Sequence, residues 1–351
     1  MNDTILNARQ VAILELFGKD PLLSRGDIVA RVNAHTRIAP ITILRDLNDL
    51  IKRGHIKQQG KARATTYRLV EQNPLLAYSD LSRYFVQPPD ERECKITFDA
   101  DVFSHLCDLH APSERQRWDA SAKIFAKQKA TLTTTIYTRE LERFLIDLAW
   151  KSSQIEGNTY DLIETETLLK EKIRARGHSE EEAIMILNHK NAFEFIRKNQ
   201  SLFAKPLTRT LVLGLHGALT EGLDISRGLR DQRVRITGTR YMPPSGRVKI
   251  ELLFERVIAA INRTPYPPDK SLIAASMIAY LQPFSDGNKR TSRMLSNAIL
   301  MAYGYYSLSY RNVDVTEYRK AVILFYEKNN LYHLKRLCME QLSFAVEHYF
   351  Q

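Results

Sequence analysis

Pro283-Phe284-Ser285-Asp286-Gly287-Asn288-Lys289-Arg290-Thr291-Ser292-Arg293 is the stretch on which the reading of this chain turns. It sets an acid, a glycine, an amide and three cations within eight positions, between two apolar segments, residues 272–281 and 294–302. Those segments read as buried helices, so the charged residues fall in a loop and the first turn of the second helix. Gly287 permits a tight turn with positive φ, and the free N–H groups of the helix start form an anion nest. Asp286 suits a divalent cation bridging phosphate oxygens, while Arg290 and Arg293, three apart on one helical face, suit the outer phosphates. The alternative is a plain surface loop with a basic helix start; the order and spacing of eight constrained positions argue against it.

In that order and spacing the segment resembles the signature of the Fic family, H-x-F-x-D/E-G-N-x-R-x-x-R, at every specified position except the first, where Gln282 stands for histidine. The resemblance implies a mainly α fold, a helical core with a β-hairpin flap, and transfer of AMP from ATP to a Ser, Thr or Tyr hydroxyl of a protein, itself included. It also implies a nucleotide loop of Phe284, Asp286, Gly287, Asn288, Lys289, Arg290 and Arg293. Within that loop Asp286 would hold Mg²⁺ and the two arginines would neutralise the pyrophosphate leaving group. The family histidine is the general base. A neutral amide cannot take the proton, and loss of a general base costs on the order of 100- to 10,000-fold, so this chain is expected to be catalytically impaired.

Two further segments carry the resemblance, which covers roughly residues 135–340. Ser152-Ser153-Gln154-Ile155-Glu156-Gly157-Asn158, near the end of a helical segment running from about residue 140, looks like the family's inhibitory motif S/T-x-x-x-E-G/N placed before the core. By resemblance Ser152, Glu156 and Gly157 form that motif, with Glu156 pairing to Arg293 and autoinhibiting the site. Taken by itself, a Glu before a Gly-Asn turn is an ordinary helix end. In Gly228 to Pro244, alternating Val234 and Ile236, the Thr237-Gly238 turn and a double proline predict a β-hairpin with a rigid exit. It resembles the flap that clamps a target chain by strand addition, with Val234, Arg235, Ile236, Thr237 and Gly238 as target-binding residues. The plain alternative is a hairpin that caps the bundle. His216 reads as a packed core histidine and not as a replacement base.

The formal net charge is +11, and residues 1–70 hold twelve Lys or Arg against six acids. That excess suggests an anionic partner without choosing between nucleic acid and nucleotide. The first seventy residues predict three helices and a hairpin. Val11, Ile13, Leu14 and Phe17 share one face, and Ser24 caps a helix over residues 25–32. A third helix from Pro40 turns Leu44, Leu47, Leu50 and Ile51 inward until Gly54 ends it. This is similar to a winged helix-turn-helix domain, with Thr42 and Arg45 facing a DNA groove and Lys61 and Arg63 in the wing on phosphates. Such a fold also serves protein contacts or subunit assembly.

The expected organisation is a winged-helix domain at 1–72, a helical connector at 73–130 and a Fic domain with its inhibitory helix at 131–351. No stretch approaches the roughly 20 apolar residues of a membrane span, and the first residues lack a signal-peptide pattern, so no membrane partner and a cytoplasmic protein are expected. Cys94, Cys107 and Cys338 are widely spaced and read as reduced structural thiols. Fic cores often dimerise, which carries over as an expected homodimer. Against the enzyme stands a different class, a DNA-binding transcriptional regulator whose Fic core senses nucleotide without chemistry. Removal of AMP from a target, with Glu156 positioning water, is the weakest reading.

Overall fold

The computed structural model describes every residue except 1–5, 18–19, 35–37, 61–63 and 71–72. It divides into two units, Met1–Tyr78 and Ser79–Gln351, each with its own core.

The first unit holds α1 (Ala8–Leu16), β1 (Leu23–Ser24), α2 (Arg25–Val32), α3 (Pro40–Lys52), β2 (Ile56–Gln59) and β3 (Thr66–Leu69). The starts of α1 and α2 are fixed by reciprocal capping boxes, Asn7 with Gln10 and Ser24 with Asp27. Pro40 opens α3, and Gly54 at φ 75 lets the chain leave it. The three strands form an antiparallel sheet in the order β1-β3-β2, with Leu23 opposite Tyr67 and Ile56 opposite Leu69. Ile13, Phe17, Leu23, Ile28, Ile43, Leu47, Leu50, Ile56 and Tyr67 make the core.

Two helix faces differ from the sequence expectation. In α1 the buried residues are Gln10 and Ile13, whereas Val11 is exposed. In α3 the buried face is Ile43, Asp46, Leu47 and Leu50, with Leu44 and Ile51 only partly covered. Polar residues took these places because they pair across the helices. Arg9 donates to Asp46, and Gln10 Nε2 donates to Asp49 Oδ2 at 2.7 Å. Thr42 is half-buried and Arg45 exposed, while the predicted wing residues Lys61 and Arg63 lie outside the described residues.

The second unit is helical: α4 (Leu81–Tyr84), α5 (Pro112–Thr131), α6 (Thr134–Ile155), α7 (Leu162–Glu171), α8 (Glu180–Lys198), α9 (Gln200–Phe203), α10 (Arg209–Thr220), α11 (Arg247–Arg263), α12 (Pro267–Leu281), α13 (Asn288–Ala302), α14 (Val315–Lys328) and α15 (Tyr332–His348). Every residue of α12 from Leu272 to Leu281 is buried, as expected of a helix apolar on all sides. It packs along α13, with α11 and α14 against it, while α6, α8, α9 and α10 cover α13. The motif helix α6 begins at Thr134, earlier than its sequence pattern suggested, because the Thr133 side chain caps it.

The hairpin predicted within residues 228–244 does not form. Thr237 and Gly238 do make a turn, with Gly238 at φ 82, but no strand pairing flanks it. The return limb is engaged elsewhere. Thr239 Oγ1 donates to Glu327 Oε1 at 2.6 Å, Tyr241 is buried with its hydroxyl donating to Tyr280 O at 2.8 Å, and Met242 N donates to Ile96 O at 2.7 Å. The last contact accompanies an isolated parallel bridge between Thr97 and Met242. With its return limb held to other elements, the first limb at residues 233–236 has no strand beside it among the described residues.

Candidate nucleotide site

The site grows from the junction of α12 and α13. Gln282 closes α12 in the left-handed conformation, φ 50, with its N–H on Ile278 O and its side-chain Nε2 donating to Ala279 O at 2.7 Å. Phe284 follows, wholly buried and stacked on His216 with centroids 3.8 Å apart. Asn288 clamps the loop by donating Nδ2 to Phe284 O and accepting Phe284 N at Oδ1, both at 2.9 Å. Its amide is therefore spent on loop shape. His216 Nε2 bonds the Asp286 carbonyl at 3.0 Å, and burial holds this histidine below its usual pKa. It braces the loop from the core, where the sequence reading expected a packed histidine.

Gly287, at φ 76, starts α13, and a Cβ there would come within 3.1 Å of Thr220 Cγ2. No side chain caps α13, so the first-turn N–H groups remain as an anion nest. Ser285 Oγ is buried beside it without a hydrogen-bond partner among the described residues. Arg290 is buried, with Nη2 donating to Asp286 Oδ2 at 3.1 Å. Asp286 itself stands largely in solvent, 70% exposed. Among the described residues no cluster of three or more His, Cys, Asp or Glu could hold a metal alone. A single exposed carboxylate fits Mg²⁺ that takes its remaining ligands from phosphates and water.

Arg293, fully buried, lies over the Tyr318 ring, 5.7 Å from its centroid, and is hydrogen-bonded by the end of α6. Nε donates to Ser152 Oγ at 3.0 Å, and Nη2 donates to Ser152 O at 2.9 Å and to Glu156 Oε1 at 2.8 Å. The second Glu156 oxygen takes Lys289 Nζ at 2.8 Å. Glu156 thus clasps two of the loop's cations. Burial pushes its carboxyl up, but the Arg293 and Lys289 charges and their hydrogen bonds outweigh this and lower it to about 2. A depressed folded-state pKa contributes stability that is present above the unfolded value and lost as pH falls through the folded one. The stability advantage of the natural chain over Glu156→Gln is therefore expected to be full at pH 7, to shrink below about pH 4.5 and to be nearly gone near pH 2. Thermal unfolding of both proteins across that range measures it.

Behind the clasp lies a residue the sequence reading passed over. His189 Nε2 meets Ser152 Oγ at 2.8 Å and Nδ1 meets Met185 O at 2.9 Å. Burial lowers its pKa to about 3, so the ring is neutral. With Nδ1–H donating to the carbonyl, Nε2 accepts the Ser152 hydroxyl, which leaves Ser152 Oγ free to accept from Arg293. The available signal was Asn188-His189 interrupting the apolar face of Ala183, Ile186, Ala192, Phe193 and Ile196.

Arg230 was also passed over. It is buried without a carboxylate partner among the described residues and ties the arch at residues 231–246 to the loop. Nε donates to Gln282 O at 2.6 Å, Nη1 to Gln232 O at 2.6 Å and Nη2 to Pro244 O at 2.7 Å, while its own N–H donates to Pro283 O at 3.0 Å. Arg230→Met should cost about 3 kcal/mol by stranding these carbonyls, and it should raise hydrogen exchange across residues 231–246. Denaturant unfolding with exchange mass spectrometry reads both; unchanged exchange would deny Arg230 this role.

Residues 206–300, which hold Arg230, His216 and the whole loop from Pro283 to Arg293, match the model of the Fic/DOC family. Over those residues the chain is similar to the Fic/DOC family. Among curated relatives, it is 30% identical over 196 residues to "Protein adenylyltransferase Fic" of Drosophila yakuba, a match covering 54% of this chain and 36% of that protein. It is 32% identical over 211 residues to the protein of the same name from Drosophila erecta, covering 59% of this chain and 41% of that one. The matched region thus spans about two fifths or less of those relatives' lengths. Solved structures share the fold. Fic-1 (residues 134–508) of C. elegans aligns with a TM-score of 0.59 at 18% identity, over 68% of this chain and 72% of that one. A Fic family protein of Desulfovibrio desulfuricans G20 aligns at 0.54 and 20% identity, over 68% and 74%.

The fold brings together Asp286, Gly287, Asn288, Lys289, Arg290 and Arg293 in one loop and helix start, with Ser152 and Glu156 against them. Gly157, at φ 103, carries the chain out of α6 beyond the clasp. The anchored arch brings Gln232 O to Arg230, whose Nε also holds Gln282 O. None of Cys94, Cys107 and Cys338 is in a disulfide. No helix among the described residues is long and apolar enough to cross a membrane.

Proposed function

We propose that this protein is a Fic-type protein adenylyltransferase, autoinhibited by Glu156 and deprived of its general base by Gln282. The observation that carries the reading is the double clasp, in which one carboxylate occupies both Arg293 and Lys289 at 2.8 Å. Cations so placed beside an anion nest suit the phosphates of ATP, and Glu156 already takes the position of one such anion. Mg²⁺, held by Asp286 and the phosphates, would neutralise the charge that develops on the leaving pyrophosphate.

The chain's own residues do the rest. The α13 N-terminus and Lys289 bind the inner phosphates, and Arg290 and Arg293 bind the outer ones once Glu156 withdraws. A Ser, Thr or Tyr hydroxyl, presented by a target chain lying along the arch, forms a new bond to the α-phosphorus as the bond to pyrophosphate breaks. The hydroxyl proton must leave in the same step. At residue 282 a histidine nitrogen would accept it, and the amide of Gln282 cannot. Incubation of Glu156→Gly with and without Gln282→His in Mg²⁺ and ATP, read as an added AMP mass on the chain or on a target, tests the reading. Absence of AMP from both, with ATP bound by both, would reject transfer.

A second reading, a DNA-binding regulator with a nucleotide-sensing core, has in its favour the exposed Arg45 on α3 and the basic first seventy residues. Sequence-selective, steeply salt-dependent binding to duplex DNA that Arg45→Ala weakens would support it.

A further inference from the structure

We propose that the target segment received by the arch is acidic and extended. It would add as a strand along residues 233–236, with carboxylates against Arg233 and Arg235. This rests on the reading that the arch presents the target. Exposure alternates along these four residues: Arg233 and Arg235 are exposed, Val234 and Ile236 partly covered. That is the period of a strand with one face turned to solvent. Among the described residues their N–H and C=O groups have no partner, and the return limb that would have paired with them is bound to Glu327, Tyr280 and Ile96. The ends of the arch are nonetheless fixed, by Arg230 at Gln232 O and Pro244 O and by Asp231 Oδ1, which accepts Arg247 N at 2.8 Å. A held segment with an open ladder edge is suited to strand addition.

The charge says what the strand should carry. Residues 230–249 hold six cations, Arg230, Arg233, Arg235, Arg240, Arg247 and Lys249, against the single acid Asp231. Arg230 is spent on carbonyls, Arg240 Nη1 donates to Asp90 O at 3.1 Å, and Arg247 pairs with Glu251. Arg233 and Arg235 make no hydrogen bond or ion pair among the described residues. They lie two apart on one face, so they meet alternate side chains of an added strand, and two carboxylates at that spacing would satisfy both.

Fluorescence anisotropy of the full chain, without ATP, tests this with labelled ten-residue peptides that alternate Thr with Asp, Gln or Lys. The Asp peptide is expected to bind tightest, to weaken with salt, and to lose about fivefold for each of Arg233→Glu and Arg235→Glu. The double variant should prefer the Lys peptide. N-methylation of alternate peptide bonds should abolish binding by removing the ladder donors. Equal binding of the three peptides, retention by the double variant, or equal displacement by a single-stranded oligonucleotide would overturn the proposal. The assay involves no transfer, so failure of the AMP reaction with peptide preference intact would sink the catalytic reading alone. AMP transfer to targets irrespective of their charge would sink this one alone.

Discussion

Gln282→His, placed in a Glu156→Gly chain, is expected to raise AMP transfer by on the order of 100- to 10,000-fold over Glu156→Gly alone. The position is ready to receive it. Its backbone is held by Ile278 O, by Arg230 on its carbonyl and by the left-handed turn, none of which depends on the side chain. Histidine tolerates that left-handed region better than most residues. The amide now turns back to Ala279 O at 2.7 Å, and the residue is 8% exposed, at the mouth of the loop. Initial rates read by mass should separate Gln282→His from Gln282→Ala, which is expected to stay at the level of the glutamine. Equal rates for the two would place the base elsewhere.

Glu156→Gly should act in two opposite directions. Without nucleotide it leaves the fully buried Arg293 with the Ser152 hydrogen bonds and the Tyr318 ring but no carboxylate, a loss of roughly 3 to 5 kcal/mol for a broken buried ion pair. With ATP the freed Arg293 and Lys289 gain phosphate oxygens, so affinity should rise at least about tenfold, or about 1.4 kcal/mol. The variant is then less stable than the natural chain when empty and recovers most of the deficit when saturated. Thermal unfolding with and without ATP measures both. A variant equally stable and equally tight in both states would show the clasp to be incidental.

The shape of the loop from Pro283 to Arg293 was legible because its determinants are local. Gly287 for a positive φ, a helix start for the anion nest and arginines three apart are all spacings that a linear sequence displays, and the helices on either side announced themselves by apolar runs. Glu156 with Arg293 was legible only through resemblance, since the two are distant in sequence and meet through the packing of α6 on α13. Arg230 and His189 escaped for a related reason. A buried arginine satisfied by carbonyls, or a neutral histidine holding a serine, looks in sequence like any arginine in a polar stretch or any histidine on a helix. The arch misled because strand alternation in Val234 and Ile236 is real, but a hairpin also needs a free return limb, and Tyr241, Thr239 and Met242 are drawn to partners far along the chain. In α3 the inward face shifted by one residue, to Ile43, because Asp46 carries a paired charge into a core that hydrophobic counting reserves for apolar groups.

The central claim is that Glu156 and the phosphates of ATP compete for the same two cations. Calorimetric titration of ATP and of adenosine into the natural chain and into Glu156→Gly tests it most directly. The account predicts that the substitution tightens ATP at least about tenfold and leaves adenosine, which has no phosphates, unchanged. An equal gain for both ligands, or none for ATP, would contradict it.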